Sequence, residues 1–135
     1  LIKKISIAKT KKKKSISIIG NGRAKRDFLF VDDLSNAIIK IMETDQKKLF
    51  QLFDKNLFHI NVGSSSEISI RDLIKSIAKI IDYRGEIVFN KTSYNGTKTK
   101  ILDCSKIKKI GWKNKVSLTE GLKKTVMWFN SKQKK

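Results

Sequence analysis

Apolar residues recur at helical spacing in three stretches of the chain. Ile70, Leu73, Ile74, Ile77, Ala78 and Ile81 share one face of a helix. Leu34, Ala37, Ile38 and Ile41 share another, and Leu118, Leu122, Val126 and Phe129 a third. Shorter apolar or alternating runs read as strands: SISII at 15–19, the run 28–31, FHINV at 58–62 and EIVF at 86–89. Leu1, Ile2, Ile5 and Ile7 read as the tail of a helix that starts upstream, and 103–110 as a short helix stopped at Gly111-Trp112.

The polar residues between these runs supply the punctuation. Gly20-Asn21-Gly22 is a turn, because Gly and Asn tolerate positive φ. Asp32 or Asp33 is placed to cap the helix that follows. Ser69-x-x-Asp72 approximates a capping box and Ser117-x-x-Glu120 completes one. Each cap is worth about 1 kcal/mol. Lysines 11–14 form a solvated loop, 44–57 a connector and 90–99 a polar loop. The order strand–helix–strand–helix–strand–helix–helix predicts an α/β class of short strands with packed helices. No repeat or linker divides residues 1–135, and the charged stretches 1–14 and 131–135 are expected to fray.

Composition changes this picture in one respect. The 135 residues carry 31 Lys and Arg against 12 Asp and Glu, a net charge of +19. Such a balance favours a nucleic-acid-binding module, because cations displace counterions from phosphates. The alternative is a bias of the genome. Only Arg23, Arg26, Arg71 and Arg84 are arginines, Ile and Asn are abundant, and Pro is absent. A dedicated nucleic-acid reader uses more Arg for bidentate contacts, so genome bias is the better account and no specific nucleic-acid partner is expected. No apolar run is long enough to span a membrane, and the opening is too broken for a signal peptide. The single Cys104 excludes an internal disulfide and fits a reducing cytoplasm. The chain begins at Leu1 and is expected to be a piece of a longer protein.

Candidate chemistry is sparse. No G-x-G-x-x-G or P-loop opens a strand–helix unit, so no complete Rossmann domain is encoded. One His and one Cys cannot build a His/Cys zinc site within one chain. His59 reads as a strand residue, Cys104 as a partly buried inert thiol, and Asp32-Asp33 as helix-capping acids. The residues alone lead to part of a soluble α/β protein with an anion-binding loop, and Gly20-Asn21-Gly22 by itself reads as a turn.

Three blocks add a resemblance. GNGRAKRDFLFVDDLSNAI resembles the G-x-G-x-x-x-R-[DE]-[FY]-[LI]-x-V-D-D-[LM] stretch of extended short-chain dehydrogenase/reductases that modify nucleotide sugars, the NAD-dependent epimerase/dehydratase family. HINVGSSSEISIRDLIKSIAKIIDYRGEIVF is similar to that family's I-N-V-G-T-G-x-x-x-[ST]-I-x-[ED]-L segment. NGTKTKILDCSKIKKIGWKNKVSLTEGLKKTVMWF looks like the C-terminal ending of the GDP-L-fucose synthases, D-G-T-x-x-K-x-L-D-x-[ST]-[KR]-[IL]-x-x-L-G-W-x-[PH]-x-[IV]-[ST]-L-x-[ED]-G-L. Order and spacing agree across nearly the whole chain.

The resemblance implies the C-terminal, substrate-binding portion of an enzyme. That enzyme epimerises GDP-4-keto-6-deoxy-mannose at C3 and C5 and reduces it at C4 with NADPH. Its cofactor domain and catalytic residues lie upstream, so no catalytic residue and no metal ligand falls in this chain. A related nucleotide-sugar epimerase or dehydratase is the alternative within the family, and the intact protein is expected to be a homodimer. Residue by residue, Arg26 matches the arginine that contacts the GDP-sugar, where a guanidinium offers forked donors to a diphosphate. A surface ion pair with Asp27 is the competing role. Lys100 matches a lysine near the nucleotide end. Lys4 replaces a substrate-binding Arg, Asn95 an Asp, and Ile19 a Trp packed at the substrate.

Overall fold

A computed structural model describes residues 1–53, 57–90 and 97–133, which fall into two units. The first unit joins Leu1–Arg26, Ile68–Lys100 and Thr119–Lys135. It opens with helix α1 (Ile2–Thr10) and strand β1 (Ser15–Ile19). Within the stretch expected to fray, α1 is helical because Ile5 and Ala8 bury their side chains. Strand β2 (Lys25–Asp27) follows the glycine turn. Strand β3 (Glu67–Ser69) then leads into α4 (Ile70–Ile81), and β4 (Glu86–Asn90), β5 (Thr99–Lys100) and α6 (Leu118–Gln133) complete it.

Helix α4 forms as its pattern dictates. Leu73, Ile74, Ile77, Ala78 and Ile81 are buried on one face. Ser69 Oγ accepts from the Asp72 amide at 3.0 Å and donates to the Asp72 carboxylate at 2.6 Å. Asp82 ends the helix in the left-handed conformation. The burial dominates: each fully buried Ile or Leu stabilises by about 1.5–3 kcal/mol, against about 1 kcal/mol for the cap. Ile5, Ala8, Ile16 and Ile18 are also buried in this unit, and α1 packs against both α4 and β1. Strands β1 and β4 pair in parallel, Ser15 with Glu86 through Ile19 with Asn90. A second sheet has the order β3-β2-β5.

The second unit comprises Asp27–Glu67 and Ile101–Leu118. It holds α2 (Val31–Met42), α3 (Gln46–Phe50) and α5 (Ser105–Lys109). Ala37, Cys104, Ile107, Ile110 and Trp112 are its buried centre, with Leu29, Ile41, Leu49, Leu52, Ile60 and Val62 packed around them. Asp103 accepts from the Ser105 amide at 2.9 Å at the start of α5. That backbone hydrogen bond, then the Ser105 hydroxyl, then Lys106 and Lys108, hold the Asp103 carboxyl below its ordinary value.

Several sequence expectations need correction. The strand expected at 28–31 lies earlier, at Lys25–Asp27, where β3 and β5 flank it on either side and β5 pairs with Lys25 and Arg26. Phe28 is exposed, and Val31 is exposed in the first turn of α2. The run 58–62 forms no strand; Ile60 and Val62 pack into the core without a ladder, and His59 is exposed. Neither Asp32 nor Asp33 caps α2, whose N-cap is Phe30 with no side-chain bond. Asp33, only 2 % exposed, instead accepts from the Lys115 amide at 3.1 Å and the Val116 amide at 2.9 Å. Its carboxylate closes a turn far along the chain.

Candidate functional site

The turn that precedes β2 is held on several sides. Gly20 (φ +91°) and Gly22 (φ +70°) adopt conformations that disfavour other residues. The Gly20 amide donates to the Asn90 carbonyl at 2.9 Å, and the Arg23 amide to Asn21 Oδ1 at 2.9 Å. The first amides of α4 have no partner within the helix. Two of them serve the turn: Ile70 N donates to Ala24 O and Arg71 N to Gly22 O, each at 2.9 Å. A Cβ on Gly22 would lie 2.5 Å from Phe89 Cε1, so only glycine lets the turn pack on that ring.

Arg26 and Lys100 come together in the strand that follows the turn. They are register partners in the parallel β2–β5 pair, where neighbouring strands lie roughly 4.8 Å apart. Arg26 is half-buried and Lys100 exposed. Arg26 Nη1 donates to the Lys25 carbonyl at 2.6 Å and to the Thr97 carbonyl at 3.0 Å. These bonds fix the guanidinium plane and leave Nε and Nη2 without a partner among the described residues. No carboxylate pairs with Arg26 or Lys100 among the described residues. Unpaired lysines are unremarkable on a chain of charge +19; a guanidinium tied to backbone beside a second cation is a built feature. Two adjacent cations repel, and an anion with two negative oxygens relieves that repulsion.

The competing role for Arg26, an ion pair with Asp27, is not what the structure has. Asp27 accepts from the Ser64 amide at 3.0 Å, the Ser65 amide at 3.1 Å and the Ser64 hydroxyl. A side chain at Gly63 would meet this carboxylate at 2.5 Å.

Of the remaining predicted residues, Lys4 and Ile19 stand outside the β2–β5 pair. Lys4 Nζ donates to the Ser17 carbonyl and lines a cleft of about 220 Å³ with Ile7, Ala8, Lys13 and Ile16. Ile19, at the end of β1, is 82 % exposed and covers nothing. Asn95 lies outside the described residues. Sequence reasoning missed Arg71, whose guanidinium carbon sits 4.0 Å from the Phe89 ring centroid while Nη2 donates to Asn21 O at 3.1 Å. The available signal was an arginine, rare in this chain, in the first turn of a well-capped helix. Among the described residues no group of His, Cys, Asp and Glu could hold a metal, and no helix is long and apolar enough to cross a membrane.

Comparison with known proteins identifies the family. Residues 1–125 match the family described as GDP-mannose 4,6 dehydratase. The chain is 34 % identical over 133 residues to the GDP-L-fucose synthase of Escherichia coli (strain K12), covering 98 % of this chain and 41 % of that protein. It is 34 % identical over 129 residues to the GDP-L-colitose synthase of Yersinia pseudotuberculosis, covering 96 % and 39 %. The structure also superposes on a GDP-mannoheptose C4 reductase from Campylobacter jejuni, solved with NADP bound. That match has a TM-score of 0.79 and 32 % identity, over 96 % of this chain and 43 % of the reductase. The chain thus spans about two fifths of the length of the proteins it matches. By the family match over residues 1–125 and these relatives, the chain belongs to the GDP-mannose 4,6 dehydratase family, among the extended short-chain dehydrogenase/reductases.

Proposed function

We propose that this chain is the nucleotide-sugar-binding part of an NADPH-dependent GDP-4-keto-6-deoxy-mannose 3,5-epimerase/4-reductase, the enzyme that forms GDP-L-fucose. The observation that carries the reading is the Arg26–Lys100 register pair, two cations without a carboxylate partner among the described residues. Arg26 presents Nε and Nη2 to the diphosphate, and Lys100 adds a second positive charge toward the nucleotide. Lys4 and Asn95 are assigned to the same substrate; Lys4 keeps the charge of an arginine but not its fork. Ile19 gives the sugar less apolar surface than a tryptophan would, so a related GDP-sugar is the alternative substrate.

Among the described residues nothing fits the pyrophosphate of NADP: β1 and β4 form a two-stranded sheet, and Gly20-Asn21-Gly22 leads into strand β2 instead of a helix, so no helix N-terminus meets a pyrophosphate at that turn. The cofactor and the acid–base residues are assigned to an upstream domain, and the intact protein to a homodimer. Calorimetric titration with GDP tests the reading. Arg26→Ala is expected to weaken binding about tenfold to a hundredfold, as loss of a charge-assisted hydrogen bond does. Unchanged affinity, or RNA binding that GDP does not displace and that falls steeply with salt, would overturn it.

A further inference from the structure

We infer that Arg71 is a positioning residue for nucleotide binding: it locks the Gly20-Asn21-Gly22 turn so that β2 presents Arg26 in one geometry. The inference rests on the reading of Arg26 as a diphosphate contact. Arg71 joins the turn through both backbone and side chain. Its amide donates to Gly22 O at 2.9 Å, and its Nη2 donates to Asn21 O at 3.1 Å. The same guanidinium lies over the Phe89 ring, 4.0 Å from the centroid. Phe89 in turn occupies the space that any Gly22 side chain would need. Turn, arginine and ring therefore form one stack, with Asn21 and Gly22 held by α4 on one side and Phe89 filling the other.

Glycine turns are entropically soft, because Gly loses more backbone freedom on ordering than other residues. Two glycines stand within six residues of Arg26. Without a clamp, ordering of the turn would be charged against each binding event; with it, the cost falls in folding. A lysine could keep the charge over Phe89 but could not also hold the planar fork toward Asn21. The clamp therefore calls for arginine at a position where this chain otherwise favours lysine.

The test is a double-mutant cycle on GDP affinity in the whole protein. Arg71→Ala is expected to weaken GDP binding roughly fivefold to tenfold, Arg71→Lys to recover part of the loss, and Arg71→Ala to have little further effect in an Arg26→Ala background. Hydrogen exchange should rise over 20–26 in Arg71→Ala while the centre of α4 stays protected. Should Arg71→Ala fold poorly, Phe89→Leu removes the platform and is expected to give the same pattern more weakly. An equal loss in both backgrounds, or none where Arg26→Ala alone costs affinity, overturns the positioning role and leaves the functional reading standing. An Arg26→Ala variant that binds GDP normally removes both.

Discussion

Arg26 and Lys100 stand opposite each other in the parallel β2–β5 ladder, and Arg26 Nη1 reaches back along the partner segment to the Thr97 carbonyl, 3.0 Å away and just before β5. Each side chain alone is an ordinary surface cation. Their register makes them the candidate site.

The two cations should contribute unequally. Lys100→Ala removes an exposed point charge and is expected to weaken GDP binding about two- to fivefold, less than Arg26→Ala. Arg26→Lys should fall between wild type and Arg26→Ala, because charge remains and the fork is lost. Calorimetry across the three variants checks this order; a larger loss at Lys100 would reassign the main anion contact.

Asp33→Ala leaves the Lys115 and Val116 amides without their acceptor. A loss of about 2–3 kcal/mol in unfolding free energy is expected, with Asp33→Asn retaining part of it. Urea denaturation gives the value, and a change below about 0.5 kcal/mol would show that water replaces the carboxylate.

Gly63→Ala should be costlier than a surface glycine substitution. Its new methyl would press on the Asp27 carboxylate at 2.5 Å and on Cys104 Sγ at 3.3 Å. A loss of about 1–3 kcal/mol follows from overpacking. The double variant Gly63→Ala, Asp27→Ala should recover part of it if the clash with Asp27 dominates, and none if the Cys104 contact does.

Asp103 gives the chain a pH dependence on the acid side. Its folded-state pKa lies below the unfolded value because the Ser105 amide and hydroxyl donate to the carboxylate. The stabilisation is present above the unfolded value and lost as pH falls through the folded one. Thermal melts at descending pH should show Asp103→Asn and wild type converging at the acid end, with wild type the more stable above it. A constant gap between the curves would refute the assignment.

The parts of this fold legible in the sequence are those where one local signal suffices. Helix α4 carries both a five-residue buried face and a Ser69 cap, and β1 and β4 are bounded by turn residues. Strand β2 is not legible locally because both of its partners, β3 and β5, lie far along the chain. FHINV alternates like a strand, yet Ile60 and Val62 satisfy the alternation by packing into a core instead of pairing. Asp33 looked like a cap because nothing local reveals that its acceptors are used by residues 115 and 116. At the candidate site, Arg26, Lys100, Lys4 and Ile19 came from resemblance to family motifs. Their grouping did not: the ladder brings Arg26 to Lys100, while Lys4 turns to the Ser17 carbonyl.

Asp27 follows Arg26 in the chain, and in an unfolded polypeptide that acid would cancel much of its neighbour's field. Folding commits both carboxylate oxygens to serine donors, so Asp27 makes no direct ion pair with the guanidinium beside it. Any change that frees Asp27 from residues 64 and 65 would let it compete with an incoming anion for Arg26.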